Sequence, residues 1–346
     1  MLPQLESFAR FALLDGPSPI QRLERLERAL AAEADPPRIH VKRDDLGGIG
    51  GGGNKLRKLE FLVGEALRQG CDTFITTGGR QSNHARLAAA SAARAGLRCE
   101  LVLADMVPRT DDAYLRNGNL LLDGLFGAQV HHVAGDTDIL AYAQARAVDL
   151  LKEGRHAYVV GAGGSSPLGC LGYAACAAEI AAQERGLGRT FDRIVVPNGS
   201  SGTHAGLIAG FAAMGMDMSR VRSFTVLAPP QRALAATTDL ARRAVALLDP
   251  AVAIADGDVH VLGGQRGEGY GIPTDAMLEA VRLLARTEGL LIDPVYGGKA
   301  FAGLLAAIRA GELNGEHSVL FIMTGGTPGL FAYEPAFSEA TSRPAR

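Results

Sequence analysis

The chain has 346 residues, 47% hydrophobic and 21% charged, with a formal net charge of −2. That make-up excludes a disordered chain and leaves room for two domains or one large α/β unit. So small a net charge gives no support for a nucleic-acid or acidic-membrane partner, and any bound anion must be held by local groups.

The four cysteines, Cys71, Cys99, Cys170 and Cys176, form no CxxC and lie in apolar segments. They read as buried free thiols in a reducing compartment, with no metal site. The start, MLPQLESFARF, lacks a basic region followed by an apolar stretch. No apolar run approaches the ~20 residues that span a bilayer. The expectation is a cytoplasmic enzyme.

In chain order, short β-branched runs at 39–42, 73–77, 100–103, 129–132, 158–160, 193–196 and 319–323 predict strands. Amphipathic or alanine-rich stretches at 55–68, 83–95, 138–152 and 167–183 predict helices between them, and 234–248 a solvated helix. Strand–helix alternation predicts an α/β fold with open parallel sheets covered on both faces. No internal repeat or low-complexity segment stands out. Glycine clusters follow the predicted strands at 47–53, 78–79, 161–164, 199–202 and 325–326. Ligands in such sheets bind beyond the strands' carboxyl ends, where glycine lets the backbone come close. These turns predict one shared cleft.

Three segments carry chemistry. In GGGNKLRKLEFL (51–62), Lys55 opens a helix after a glycine loop, near Arg57 and Lys58. The helix N-terminus and these cations disfavour its charge and favour a nucleophilic amine. Taken alone, the segment also fits a solvated lysine at a helix start. In TTGGRQSNHAR (76–86), Gln81, Ser82 and Asn83 fall in the cap region of the next helix, a seat for a carboxylate or an ordinary cap. In VVPNGSSGTHAG (195–206), a buried strand runs into glycines and small hydroxyls and then a helix. That is the layout of a phosphate cradle, or of a tight structural turn; it is neither a Walker loop nor a GxGxxG.

Together with EGYGIP (268–273), RTEGLLIDPVYGGKAFAGL (286–304) and TGGTPGLFAY (324–333), these segments resemble the D-cysteine desulfhydrase and 1-aminocyclopropane-1-carboxylate deaminase family. This family belongs to the tryptophan-synthase-β-like, fold type II, pyridoxal-phosphate enzymes. The resemblance runs in order over residues 40 to 333. It implies a two-domain α/β architecture, with residues 60–168 as a small domain inserted into a large one built from 1–59 and 169–346. It also implies pyridoxal 5'-phosphate as cofactor, a small amino-acid substrate and a homodimer.

Residue by residue, the resemblance makes Lys55 the Schiff-base lysine and proton carrier, and Asn54 the partner of the cofactor's phenolic oxygen. Gly199, Ser200, Ser201, Gly202 and Thr203 would hold the phosphate. Ser82 and Asn83 would take the substrate carboxylate, with Gln81 and His84 nearby. Tyr296 and Tyr270 would face the reacting carbon or the leaving group, although core packing also explains a buried tyrosine. His84 and His204 sit inside first helical turns; His84 is the one placed to orient a ligand, and His204 reads as structural.

Two departures bear on substrate. Where the deaminase branch has a glutamate after the DPVY tyrosine, this chain has Gly297, and Thr324 becomes the partner of the ring nitrogen. A hydroxyl supplies no charge to hold a pyridinium, which favours α,β-elimination over opening a cyclopropane. Arg80 is the second departure: it either contacts an anionic substrate arm or points to solvent, and Arg266 raises the same question more weakly. The expected reaction is elimination from D-cysteine to sulfide, pyruvate and ammonia. Cysteate lysis, the cyclopropane deaminase and a non-catalytic anion-binding protein are the alternatives.

Overall fold

The structure is a computed structural model that describes residues 2–338. Its strands follow the β-branched runs: β1 (Ile20–Arg22), β2 (Arg38–Arg43), β3 (Thr73–Gly79), β4 (Arg98–Ala104), β5 (Gln129–Val133), β6 (Ala157–Val160), β7 (Arg193–Asn198), β8 (Val221–Thr225), β9 (His260–Leu262) and β10 (Ser318–Met323). They form a six-stranded sheet in the order β1-β2-β10-β7-β8-β9 and a four-stranded sheet in the order β5-β4-β3-β6. Every pairing is parallel except that of β1 with β2.

Strand β10, SVLFIM, is buried at every residue, as a central parallel strand covered on both faces should be. Its side chains alternate between two cores. Val319, Phe321 and Met323 pack with the helices Asp275–Glu288 and Gly297–Arg309, while Leu320 and Ile322 pack with Pro167–Leu187 and Gly202–Ala213. The four-stranded sheet takes all its strands from residues 73–160. One of its faces is covered by the helices Lys55–Arg68 and Asn83–Ala95, through Leu59, Leu62, Leu87 and Ala88 against Phe74 and Leu101.

The helix Lys55–Arg68 belongs to both halves of the molecule, since its Phe61 packs against Leu171 and Ala174 of Pro167–Leu187. The boundaries read from sequence, 59/60 and 168/169, thus fall inside helices shared by the two sheets. The same helix turns Arg57 into a buried charge cluster. Its guanidinium donates to Asp44 Oδ1 at 2.7 Å and to Glu179 Oε2 at 2.8 Å, while Tyr173 donates its hydroxyl to Asp44. Lys42 Nζ closes the cluster on Glu179. Burial alone would raise the Asp44 carboxyl, but the Arg57 charge and bonds outweigh it and bring it down to about 2.

Three strands lay outside the sequence expectation. β1 and β9 are three residues each, and β8, VRSFT, carries an arginine in its short run. The helix Pro230–Leu248 starts earlier than 234, with Pro230 in its first turn, where a missing N–H costs nothing. Cys99, Cys170 and Cys176 are buried, Cys71 is partly exposed, and all four are free thiols.

Candidate active site

One pocket lies at the carboxyl ends of strands from both sheets, and the glycine turns after β3, β6 and β7 line it. Lys55 enters from the loop after β2. That loop is tied to the turn after β10 by a Gly53–Gly325 bridge and by the Asn54 N–H donating to the Thr324 carbonyl at 3.1 Å. Only glycine suits position 52, where φ is +70° and a Cβ would stand 1.9 Å from the Asp45 carbonyl oxygen. Lys55 Nζ donates to Asn54 Oδ1 at 3.0 Å and lies 6.0 Å from the centre of the Tyr296 ring. Desolvation in the pocket, then the Lys58 cation, hold its amine well below the usual lysine range; Arg86 adds to this and Asp293 opposes it. Arg57, expected from sequence to act on Lys55, instead faces Asp44 and Glu179.

The loop after β7 is pinned by Asn198, whose amide donates to Ser223 and Thr237 at 3.0 Å each and whose Oδ1 accepts from the Ser201 N–H. Ser201 holds φ at +66°, the one positive-φ residue other than glycine among the described residues. The helix Gly202–Ala213 that follows has no side-chain cap; the Gly202 N–H turns back to the Ser200 carbonyl at 2.8 Å, and the Thr203 and His204 N–H groups behind it are left for a ligand. At the base of the loop lies Lys58, fully buried, donating to the Gly163 carbonyl at 3.1 Å and to Ser165 Oγ at 3.0 Å. It forms no salt bridge among the described residues, and burial pulls its amine down to about 8. Cβ atoms at 199 and 202 would stand 2.8 Å from the Tyr296 ring and 2.6 Å from Lys58 Nζ. A cradle of N–H groups and small hydroxyls, kept open by glycine at 199 and 202, above a buried cation with no carboxylate fits a phosphate.

Across the pocket, Ser82 caps the helix Asn83–Ala95 by accepting the Ala85 N–H at 3.1 Å, which leaves its hydroxyl proton to donate into the pocket. Asn83 Oδ1 accepts from Asn119 at 2.8 Å, which leaves its amide hydrogens for a ligand. His84 also lines the pocket. The Thr76 hydroxyl donates to the Val160 carbonyl at 2.9 Å, so His84 Nε2 must donate to Thr76, at 2.8 Å. Its Nδ1 then carries a buried lone pair with no partner. Burial, then the Lys55 and Lys58 cations, keep this ring neutral.

Two expected substrate contacts are corrected. Arg80 does not line the pocket; its Nε donates to Asp105 Oδ1 at 2.7 Å. Gln81 is buried elsewhere, donating to the Tyr114 and Asn117 carbonyls at 2.6 and 2.9 Å and accepting the Asn119 N–H. Its side chain shapes the 114–119 segment and is saturated.

Tyr296 and Tyr270 line the pocket opposite Lys55 and share a hydroxyl–hydroxyl hydrogen bond. Burial raises both phenols, so they are protonated donors at neutral pH. The turn carrying Tyr296 is held by buried Asp293, which accepts the N–H groups of Val295, Tyr296 and Gly297. Gly297 lies outside the pocket lining, and a Cβ there would stand 2.6 Å from Ile292 and 2.9 Å from Asp293, so a glutamate has no room. Thr324 does line the pocket. Met106, Ile139 and Leu227 form an apolar wall that no sequence pattern pointed to. Lys58 was legible only as a second lysine at i+3 from Lys55, on the same helical face.

His204 lies outside the pocket lining, buried with its Nδ1 at 2.8 Å from Ser223 Oγ. Among the described residues no helix is long and apolar enough to cross a membrane.

Comparison with known proteins matches this architecture. The model of the pyridoxal-phosphate dependent enzyme family matches residues 11–325. A D-cysteine desulfhydrase of Salmonella schwarzengrund is 44% identical over 340 residues, covering 96% of this chain and 99% of the relative. Among solved structures, an ACC deaminase homologue superposes with a TM-score of 0.86 at 35% identity over 98% of both chains. A fungal L-serine ammonia-lyase from Rhizomucor miehei shares the fold, with a TM-score of 0.64 at 18% identity over 95% of this chain and 99% of that one.

Proposed function

The chain belongs to the family of pyridoxal-phosphate dependent enzymes, and from that premise we propose that it eliminates hydrogen sulfide from D-cysteine, the released aminoacrylate taking up water to give pyruvate and ammonia. Pyridoxal 5'-phosphate is its cofactor; bound through Lys55, it supplies the electron sink that acidifies the substrate Cα–H. The loop Gly199–Thr203, with Lys58 beneath it, would hold the phosphate, Asn54 would bond the phenolic oxygen and Thr324 the ring nitrogen.

Each further role belongs to a named side chain. Ser82 and Asn83, at a helix N-terminus, orient the substrate carboxylate. The Lys55 amine, its charged form disfavoured by burial and by Lys58, takes the Cα proton and holds it. Tyr296, its hydroxyl aligned by Tyr270, keeps a proton for the departing sulfur. Met106, Ile139 and Leu227 offer the thiol an apolar surface.

The observation that carries the reading is the charge content of the pocket. Among the described residues Lys55 is the one lysine or arginine in its lining, and Arg80 is paired away on Asp105. A sulfonate arm would therefore be buried without a counter-charge, whereas a thiol fits the apolar wall. The same reasoning disfavours cyclopropane opening, since no carboxylate stands at 297 to charge the ring. The test is product identification on D- and L-cysteine, cysteate, chloroalanine and the cyclopropane amino acid. Sulfide and pyruvate from D-cysteine support the reading, and faster sulfite release from cysteate contradicts it.

By the same reading, residues 60–168 act as an inserted small domain. The working form is a cytoplasmic homodimer, which sedimentation of the purified enzyme checks.

A further inference from the structure

Tyr270 stands on an irregular segment between β9 and the helix Asp275–Glu288, most of it half-buried, with positive φ at Gly264, Gly267 and Gly271. Such a segment does not fix a hydroxyl by itself. What ties it down comes from the helix Gly297–Arg309, which begins immediately after Tyr296. Lys299, fully buried, donates from Nζ to the Arg266 carbonyl at 2.7 Å and to the Gly269 carbonyl at 2.9 Å. It forms no salt bridge among the described residues, and burial, reinforced by nearby Arg266, pulls its amine down to about 8. A buried ammonium satisfied only by two carbonyls of one loop is costly to keep, and a plain core position would be filled by an apolar side chain. A second anchor, Tyr333, donates its hydroxyl to the Gly271 carbonyl at 2.8 Å.

We propose that Lys299 is a positioning residue, whose hold on the Arg266 and Gly269 carbonyls sets the Tyr270 hydroxyl against Tyr296. The proposal rests on the reading that the tyrosine pair serves the leaving group. Tyr296 and Lys299 lie one turn apart on the chain, so the helix start that places Tyr296 also places the clamp on its partner. The clamp makes the two phenols one unit.

The test uses the holoenzyme and D-cysteine. Lys299→Met should lower kcat roughly 10- to 100-fold, the scale of an ångström-sized misplacement, with KM and cofactor loading close to the parent. Hydrogen exchange in peptides covering 263–273 should quicken, and exchange elsewhere should not. In a Tyr270→Phe background the same substitution should cost almost nothing more in kcat, because its effect runs through that hydroxyl. Should Lys299→Met fail to fold, Lys299→Gln, which keeps donors but loses charge and length, is read the same way.

Unchanged loop exchange, or a kcat loss that adds in full to that of Tyr270→Phe, overturns the proposal. Tyr270→Phe with parental turnover would sink the tyrosine reading alone. Lys299 would then stand or fall on the exchange of the loop.

Discussion

The helix Lys55–Arg68 presents two faces that treat charge in opposite ways. On one, Arg57 meets Asp44 and Glu179 in a cluster that also takes in Lys42 and Tyr173. On the other, Lys55 lines the pocket and Lys58 lies beneath it on the Gly163 carbonyl and Ser165, with no carboxylate bonded to either. Both faces are desolvated, so burial does not separate them; pairing does. A buried cation matched by acids is consistent with holding the fold, and one left with hydroxyls and carbonyls is available to an incoming anion.

The largest expected break in this contrast is Lys55→Ala. It should abolish turnover and the covalent attachment of the cofactor, read as loss of the lysine-bound cofactor absorbance, while the melting temperature of the cofactor-free protein barely moves. Arg57→Met should do the reverse. Removing one member of a buried ionic cluster strands its partners and costs roughly 3–5 kcal/mol, measured by denaturant unfolding of the cofactor-free protein. Lys58→Met, one residue further on, should leave that stability unchanged or raised. Its cost should fall on cofactor affinity, about 1.5–3 kcal/mol for one charge-assisted bond to a phosphate, read by equilibrium titration.

How much of this was legible in the sequence follows from the range of the interactions. The strands from β2 to β7 and β10 announce themselves in local β-branched runs. The short β1, β8 and β9 take their place from neighbours already in the sheet. The glycine and hydroxyl turns were equally local, so Lys55, Ser82 and the Gly199–Thr203 loop could be read directly. Arg80 and Gln81 were not, because their side chains are turned by Asp105 and by the 114–119 segment, partners remote in sequence. Lys58 and Lys299 were invisible as functional candidates for a related reason: what marks them is an absent carboxylate, and a sequence does not show absences in space.

A pH-dependent effect concerns an acid that completes the contrast. Asp123 is fully buried with neither carboxylate oxygen bonded, and burial raises it to about 8 against the pull of Arg86. Its unfolded value is near 4. Between those values the unfolded chain binds fewer protons than the native one, so stability falls as pH rises from about 4 to 8. Asp123→Asn should remove that slope. Melting temperatures at pH 5 and pH 8 should differ less in the variant than in the parent, and equal differences would place the ionised carboxylate in the native state.

The assignment of Lys55 as the one lysine that bears the cofactor is tested most directly by borohydride reduction of the holoenzyme followed by peptide mapping. The label is predicted on Lys55, in the tryptic peptide 44–57 that contains the Gly47–Gly53 loop. A label on Lys58, Lys42 or Lys299 would contradict the division between the two faces and the site built upon it.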